Sequence, residues 1–167
     1  LYALRSDIAF LTEHDVLYHP SHFDFRPPRD DVYFYNLNVW KVAVGGKDTG
    51  RAVTYETKQT SGLCASRQLL IRHYERRLEL VRANGFSRRM GFEPGSHNRA
   101  ERVDDVPSDV WRSPHPNIDI RHSANLTPTR WSQSEFRSQR NCRGWRESAT
   151  LPAECAWAAG ILAGLTG

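Results

Sequence analysis

The chain contains no Cys-x-x-Cys pair, and its three cysteines, Cys64, Cys142 and Cys155, are odd in number and far apart. That spacing supports neither a zinc ribbon nor a disulfide framework, so a reducing, cytoplasmic setting is expected. A signal-peptide pattern is lacking, and no apolar run approaches the roughly 20 residues that cross a bilayer. The stretch from Ala156 to Leu165 is apolar but short, and reads as a packed or frayed tail. There is no internal repeat, no low-complexity tract and no dense basic block. An initiator Met is also lacking, which suggests processing, truncation or a fragment.

What remains is the composition of an ordinary globular chain. Its 167 residues fit one domain with a sizeable core, and 39% apolar with 25% charged residues argues against disordered and fibrous classes. The net charge is +4 and the pI about 9.2. A modest basic excess of this kind suits a phosphate-bearing ligand as well as nucleic acid.

The most informative stretch runs from Ile8 to Phe25, IAFLTEHDVLYHPSHFDF. Ile8 to Leu11 reads as a buried strand of an α/β sheet, and Glu13, His14 and Asp15 fall just beyond its carboxyl end, where ligands bind in such sheets. Carboxylates at i and i+2 leaving a strand point the same way, so Glu13 and Asp15 converge while His14 faces away. Hard divalent cations take one or two such carboxylates plus substrate phosphates. A solvated acidic turn is the plainer alternative.

Further along, Pro20, Pro27 and Pro28 keep residues 16–30 as a loop. Val32 to Tyr35, Val39 to Val42 and Ala52 to Tyr55 read as three strands of a hairpin or small meander, turned at Gly45-Gly46. A helix is expected from about Ser61 to Asn84, with Gly85 as its stop and Arg67, Arg72, Glu75, Arg76 and Glu79 on a solvated face. Residues 86–118 read as a long ordered loop. Asn117 to Ile120 is a short strand ending at Arg121-His122, and a short helix starts at Ser132 or Ser134. His122, arriving from this late strand beside the acid pair, would complete an oxygen and nitrogen site suited to Mn²⁺, with Zn²⁺ and Fe²⁺ as alternatives.

The strings EHDVLYHPSHFDF, KQTSGLCA, GFEPGSH and NIDIRHSANLTPTRWS resemble bacterial and phage glycosyltransferases of the GT-A type, over about Asp7 to Trp145. The resemblance implies an α/β fold, a GT-A-like mixed sheet with flanking helices. It places a Mn²⁺ or Mg²⁺ cofactor on Glu13 and Asp15, with His122 as a further ligand. Glu93 takes the role of catalytic base, with Asp104 and Asp105 as substitutes. Tyr18, His19, His22, Arg121, Asn125, Arg130 and Trp131 become substrate contacts, the two arginines for phosphate. The implied partners are a nucleotide-sugar donor and an acceptor hydroxyl of unknown identity.

A GT-A domain places a Rossmann-like nucleotide-binding half before the acid-x-acid strand. Only a partial element precedes it here, so the expectation is the C-terminal portion of a domain, residues 1–147, followed by a tail at 148–167. Such a portion would rely on a missing N-terminal segment or a second polypeptide for donor binding. An exposed strand edge at Ile8 to Leu11 would also invite homo-oligomers. Two other function classes compete: a metal-dependent hydrolase or nuclease using the same Glu, Asp and His cluster, and a basic nucleic-acid-binding module using Trp111, Trp131 and Trp145.

Overall fold

The structure is a computed structural model, and it describes residues 1–86, 93–95, 106–125 and 127–165. Among these residues it is an α/β chain with two mixed sheets and two α-helices. Contacts divide it into two interleaved units. The first comprises Leu1–Thr12, Phe25–Asn36 and Lys58–Trp111, and the second Glu13–Asp24, Leu37–Thr57 and Arg112–Gly167. Each owns one sheet.

The first unit's sheet has the order β1-β6-β3-β7, from strands Ile8–Phe10 (β1), Tyr33–Asn36 (β3), Leu63–Ser66 (β6) and Ser108–Trp111 (β7). Central β6 runs antiparallel to both β1 and β3, while β7 pairs parallel with β3. Helix α1, Arg67–Asn84, turns Leu69, Leu70 and His73 inward. Leu69 and Leu70 join Ala9, Tyr33, Tyr35, Leu63 and Ala65 in a single core. His73 satisfies its ring through a 2.8 Å hydrogen bond between Nδ1 and the Tyr33 hydroxyl, as a buried polar group must. At the other end Gly85 adopts φ +76° and donates its N–H to Val81, the glycine stop that the sequence signals.

Three expectations are corrected. The helix starts at Arg67 rather than near Ser61, because Leu63, Cys64 and Ala65 are all buried and continue the sheet as its central strand. The loop of residues 86–118 contains β7, whose mixed burial leaves no period to read. Strand β1 sits at one end of the sheet order with only Ala9 buried, so it is an edge strand rather than a buried one.

The second unit's sheet has the order β2-β8-β4-β5-β9, from Val16–Leu17 (β2), Val39–Ala43 (β4), Ala52–Thr54 (β5), Asn117–Arg121 (β8) and Arg146–Ser148 (β9). Strands β4 and β8 are parallel, and the others join them antiparallel. The expected meander is therefore only the β4–β5 hairpin, because β3 pairs in the other sheet. Asn36, Leu37 and Asn38 make a buried or half-buried crossing instead of a turn. The hairpin turn falls at Gly45 and Gly46, both with positive φ.

One face of this sheet carries Trp40, Val42, Ala52 and Ile118. Cys155, Ala158 and Leu162 from the 3-10 helix Ala153–Ala158 and helix α2, Ala159–Gly164, cover that face. Much of the segment read as a tail thus forms one wall of this core. None of the described helices is long and apolar enough to cross a membrane.

Gly62 offers a direct test of the first unit. A Cβ there would lie 2.8 Å from the backbone oxygen of Asn36, so the strand end and its neighbour approach as only glycine permits. Gly62→Ala is expected to lower the unfolding free energy by about 1–3 kcal/mol, read by denaturant titration. An unchanged midpoint would mean that the two backbones separate freely.

Candidate active site

The second unit's sheet turns its polar side away from the core. In a parallel pair, residues in register share a face. Lys41 lies beside Asp119 and Ala43 beside Arg121, opposite the apolar Trp40, Val42 and Ile118. Asp119 is 3% exposed and bonded to Arg121, so this carboxylate is buried but paired. Lys41 is 8% exposed, with its ammonium 4.4 Å from the centre of the Tyr55 ring. Burial pulls the Lys41 ammonium down to about 8, opposed by Asp119 and reinforced by Arg121. Burial likewise pushes the Tyr55 hydroxyl up to about 12.

Arg121 lines two cavities. The first, of about 350 Å³, is lined by Glu13, His14, Asp15, Asp119, His122 and Asn125 among others. Its geometry follows from short-range hydrogen bonds. The backbone N–H of Ile120 donates to the Asp15 carbonyl at 2.8 Å, tying the acidic turn to β8. Asn125 donates from its amide to Asp15 Oδ2 at 2.7 Å and accepts from the His122 backbone N–H at 2.6 Å. The Tyr18 hydroxyl accepts the backbone N–H of Glu13 at 3.0 Å. Glu13 and Asp15 thus face one space. His14 lines the same space instead of facing away, because the chain has left β1 and is turning there.

The second cavity, of about 110 Å³, has Lys41, Tyr55, Arg130, Trp131 and Phe136 on its walls together with Arg121. Arg130 lies 5.0 Å from the centre of the Phe136 ring. The Trp131 segment is fixed by a capping box, in which Glu135 accepts the backbone N–H groups of Trp131 and Ser132.

The other candidates stand elsewhere. His22 is fully buried, with Nδ1 3.0 Å from the Asn117 amide, so its ring serves packing and is closed to ligand. His19 lies tilted against His115, ring centres 4.2 Å apart, and meets the edge of Trp157 at 5.3 Å, apart from both cavities. Tyr18 supports the backbone of Glu13 rather than lining the space. Glu93 belongs to the first unit, half-buried, next to a turn held by Tyr35 donating to the Pro94 carbonyl and Ser108 donating to that of Gly95. Asp104 and Asp105 lie outside the described residues.

Lys41, Tyr55 and Asp119 were not singled out by their sequence. Lys41 and Asp119 do carry a signal, a lone charge inside an apolar strand, in VWKVA and NIDI.

As a cation site, the arrangement fits in part. No three His, Cys, Asp or Glu side chains among the described residues are gathered closely enough to hold a metal. Glu13 and Asp15 nonetheless supply the one or two carboxylates that Mg²⁺ or Mn²⁺ needs when phosphate oxygens complete the shell. His122 does not join them as placed. Its Nδ1 accepts the Ala124 N–H at 3.2 Å, which puts the proton of the neutral ring on Nε2 and makes that nitrogen a donor.

His22 gives the site's scaffold a pH signature. Burial lowers its imidazole from 6.5 to about 4, so the unfolded chain binds a proton in that window and the folded chain does not. Stability is therefore full above pH 6.5 and falls as pH drops toward 4, by on the order of 2–3 kcal/mol. In denaturant titrations across this range, His22→Gln should flatten that slope. An unaltered slope would show that His22 is free to protonate in the fold. Comparison with protein-family models, with curated proteins and with solved structures yields no match to this chain.

Proposed function

We propose that the chain is a glycosyltransferase of the GT-A type, moving a sugar from a nucleotide-sugar donor to an acceptor hydroxyl. One observation supports this above the others. Asp15 and Asn125, 110 positions apart and drawn from two of the motifs that carry the resemblance, are hydrogen-bonded in one cavity with Glu13, Arg121 and His122.

In this reading Glu13 and Asp15 hold a Mn²⁺ or Mg²⁺ ion, which when bound neutralises charge on the departing diphosphate. Asn125 fixes one Asp15 oxygen and leaves the other for the ligand. Arg121 lines the cavity while one of its Nη groups donates to Asp119, and a guanidinium matches phosphate oxygens in pairs. His122, carrying its proton on Nε2, donates to a phosphate or sugar oxygen at the cavity edge.

Calorimetric titration with Mn²⁺ and a panel of nucleoside diphosphates tests the assignment. Wild type is expected to bind a diphosphate only with the cation, and Asp15→Ala to weaken that binding at least about tenfold, the loss of a charge-assisted contact. Binding of Zn²⁺ alone, indifferent to nucleotides and to Asp15, would contradict the reading and favour a hydrolase.

A further inference from the structure

The smaller cavity has a chemistry opposite to that of its neighbour. Its walls carry Lys41, Arg121 and Arg130, and no carboxylate lines it among the described residues. Asp119, which lines the larger cavity, is bonded to Arg121 and sits in register with Lys41. Lys41, Arg121 and Arg130 together set three positive charges around the smaller one.

Each cation is held in place by something rigid. Lys41 lies over the Tyr55 ring, Arg130 over Phe136, and those two rings meet edge to face at 5.2 Å. Trp145 stacks on Tyr55 behind them, at 5.5 Å and 15°. Cations over ring faces in a partly dry site attract an anion more strongly than the same charges in water. Lys41 is still mainly protonated near neutral pH, since burial takes it only to about 8.

Size narrows the class of ligand. Pockets for whole drug-sized molecules run to about 300–1,000 Å³, whereas this one holds about 110 Å³. That admits one charged group and part of one ring, not a nucleotide.

We propose that this cavity is a subsite for an acidic acceptor, taking a carboxylate or phosphate group carried on a sugar ring whose apolar face packs on Trp131 and Phe136. The word acceptor rests on the transferase reading, whereas anion binding stands without it. Arg121, common to both cavities, would place that acidic ring beside the donor diphosphate.

The test uses the full chain without metal or nucleotide, titrated calorimetrically with glucuronate, glucose 6-phosphate, inorganic phosphate and glucose. At least one sugar acid is expected to bind about tenfold or more tightly than glucose. A preference for glucuronate identifies a carboxylate ligand, and a preference for glucose 6-phosphate a phosphate one. Arg130→Gln, at an exposed position, should weaken that binding about tenfold without changing the melting temperature. Lys41→Met should do the same, and Arg130→Gln decides the matter where Lys41→Met does not fold.

Glucose binding as well as the acids, no anion binding, or insensitivity to Arg130→Gln would overturn the subsite. Mn²⁺-dependent nucleoside diphosphate binding is measured on the same preparations. If that binding persists while the acids fail, only the subsite falls. If it is lacking while the acids bind, the transferase reading falls and the anion site stands.

Discussion

The parallel pairing of β4 with β8 is the constraint on which the second unit depends. Its register sets Trp40 beside Ile118 and Lys41 beside Asp119, so one pairing decides both the core and the site. A one-residue slip of β8 would turn Asp119 and Arg121 into the layer covered by Cys155, Ala158 and Leu162, and a slip of β4 would do the same to Lys41. Either would set charge against the apolar core, at a cost far above that of a lost surface contact. The apolar face thus enforces the polar one, and the cavities inherit their precision from the core beneath them.

Charge is sorted along that polar face. Glu13, Asp15 and Asp119 gather on one side of Arg121, and Lys41 and Arg130 on the other. The side of acids suits a cation with its phosphates, and the side of bases and rings suits an anion. Arg121 is stabilised by Asp119 while it serves both. Replacing Arg121 would therefore leave a buried carboxylate without its partner as well as removing a ligand contact. Asn125 plays the corresponding part for the acids, since one amide fixes both the His122 backbone and an Asp15 oxygen.

Much of this was legible in the residues, and for physical reasons. Strands β4, β5 and β8 are short apolar runs bounded by turn residues, and Gly85 stops α1 where a glycine should. Glu13, Asp15, His122 and Asn125 stood out because polar groups cluster there immediately beyond apolar runs. Strand β6 was hidden because Leu63 to Ser66 runs straight into a helical pattern, and only pairing with β1 and β3 makes it a strand. The separation of β3 from β4 was equally out of reach, because it depends on partners distant in sequence. His22 misled because an imidazole in a polar cluster suggests a ligand contact, whereas Asn117 satisfies it inside the fold. The α/β class holds, and the GT-A assignment is our proposal on the cavity and the motifs.

The account turns on where a cation and a diphosphate lie. Crystals of the chain grown with Mn²⁺ and a nucleoside diphosphate, measured at the manganese absorption edge, locate the ion directly. The account predicts one anomalous peak at bonding distance from the Asp15 carboxylate, within about 2–2.5 Å, with diphosphate oxygens on the ion and Arg121 on the diphosphate. A peak remote from Glu13 and Asp15, or a diphosphate bound away from Arg121, would contradict it.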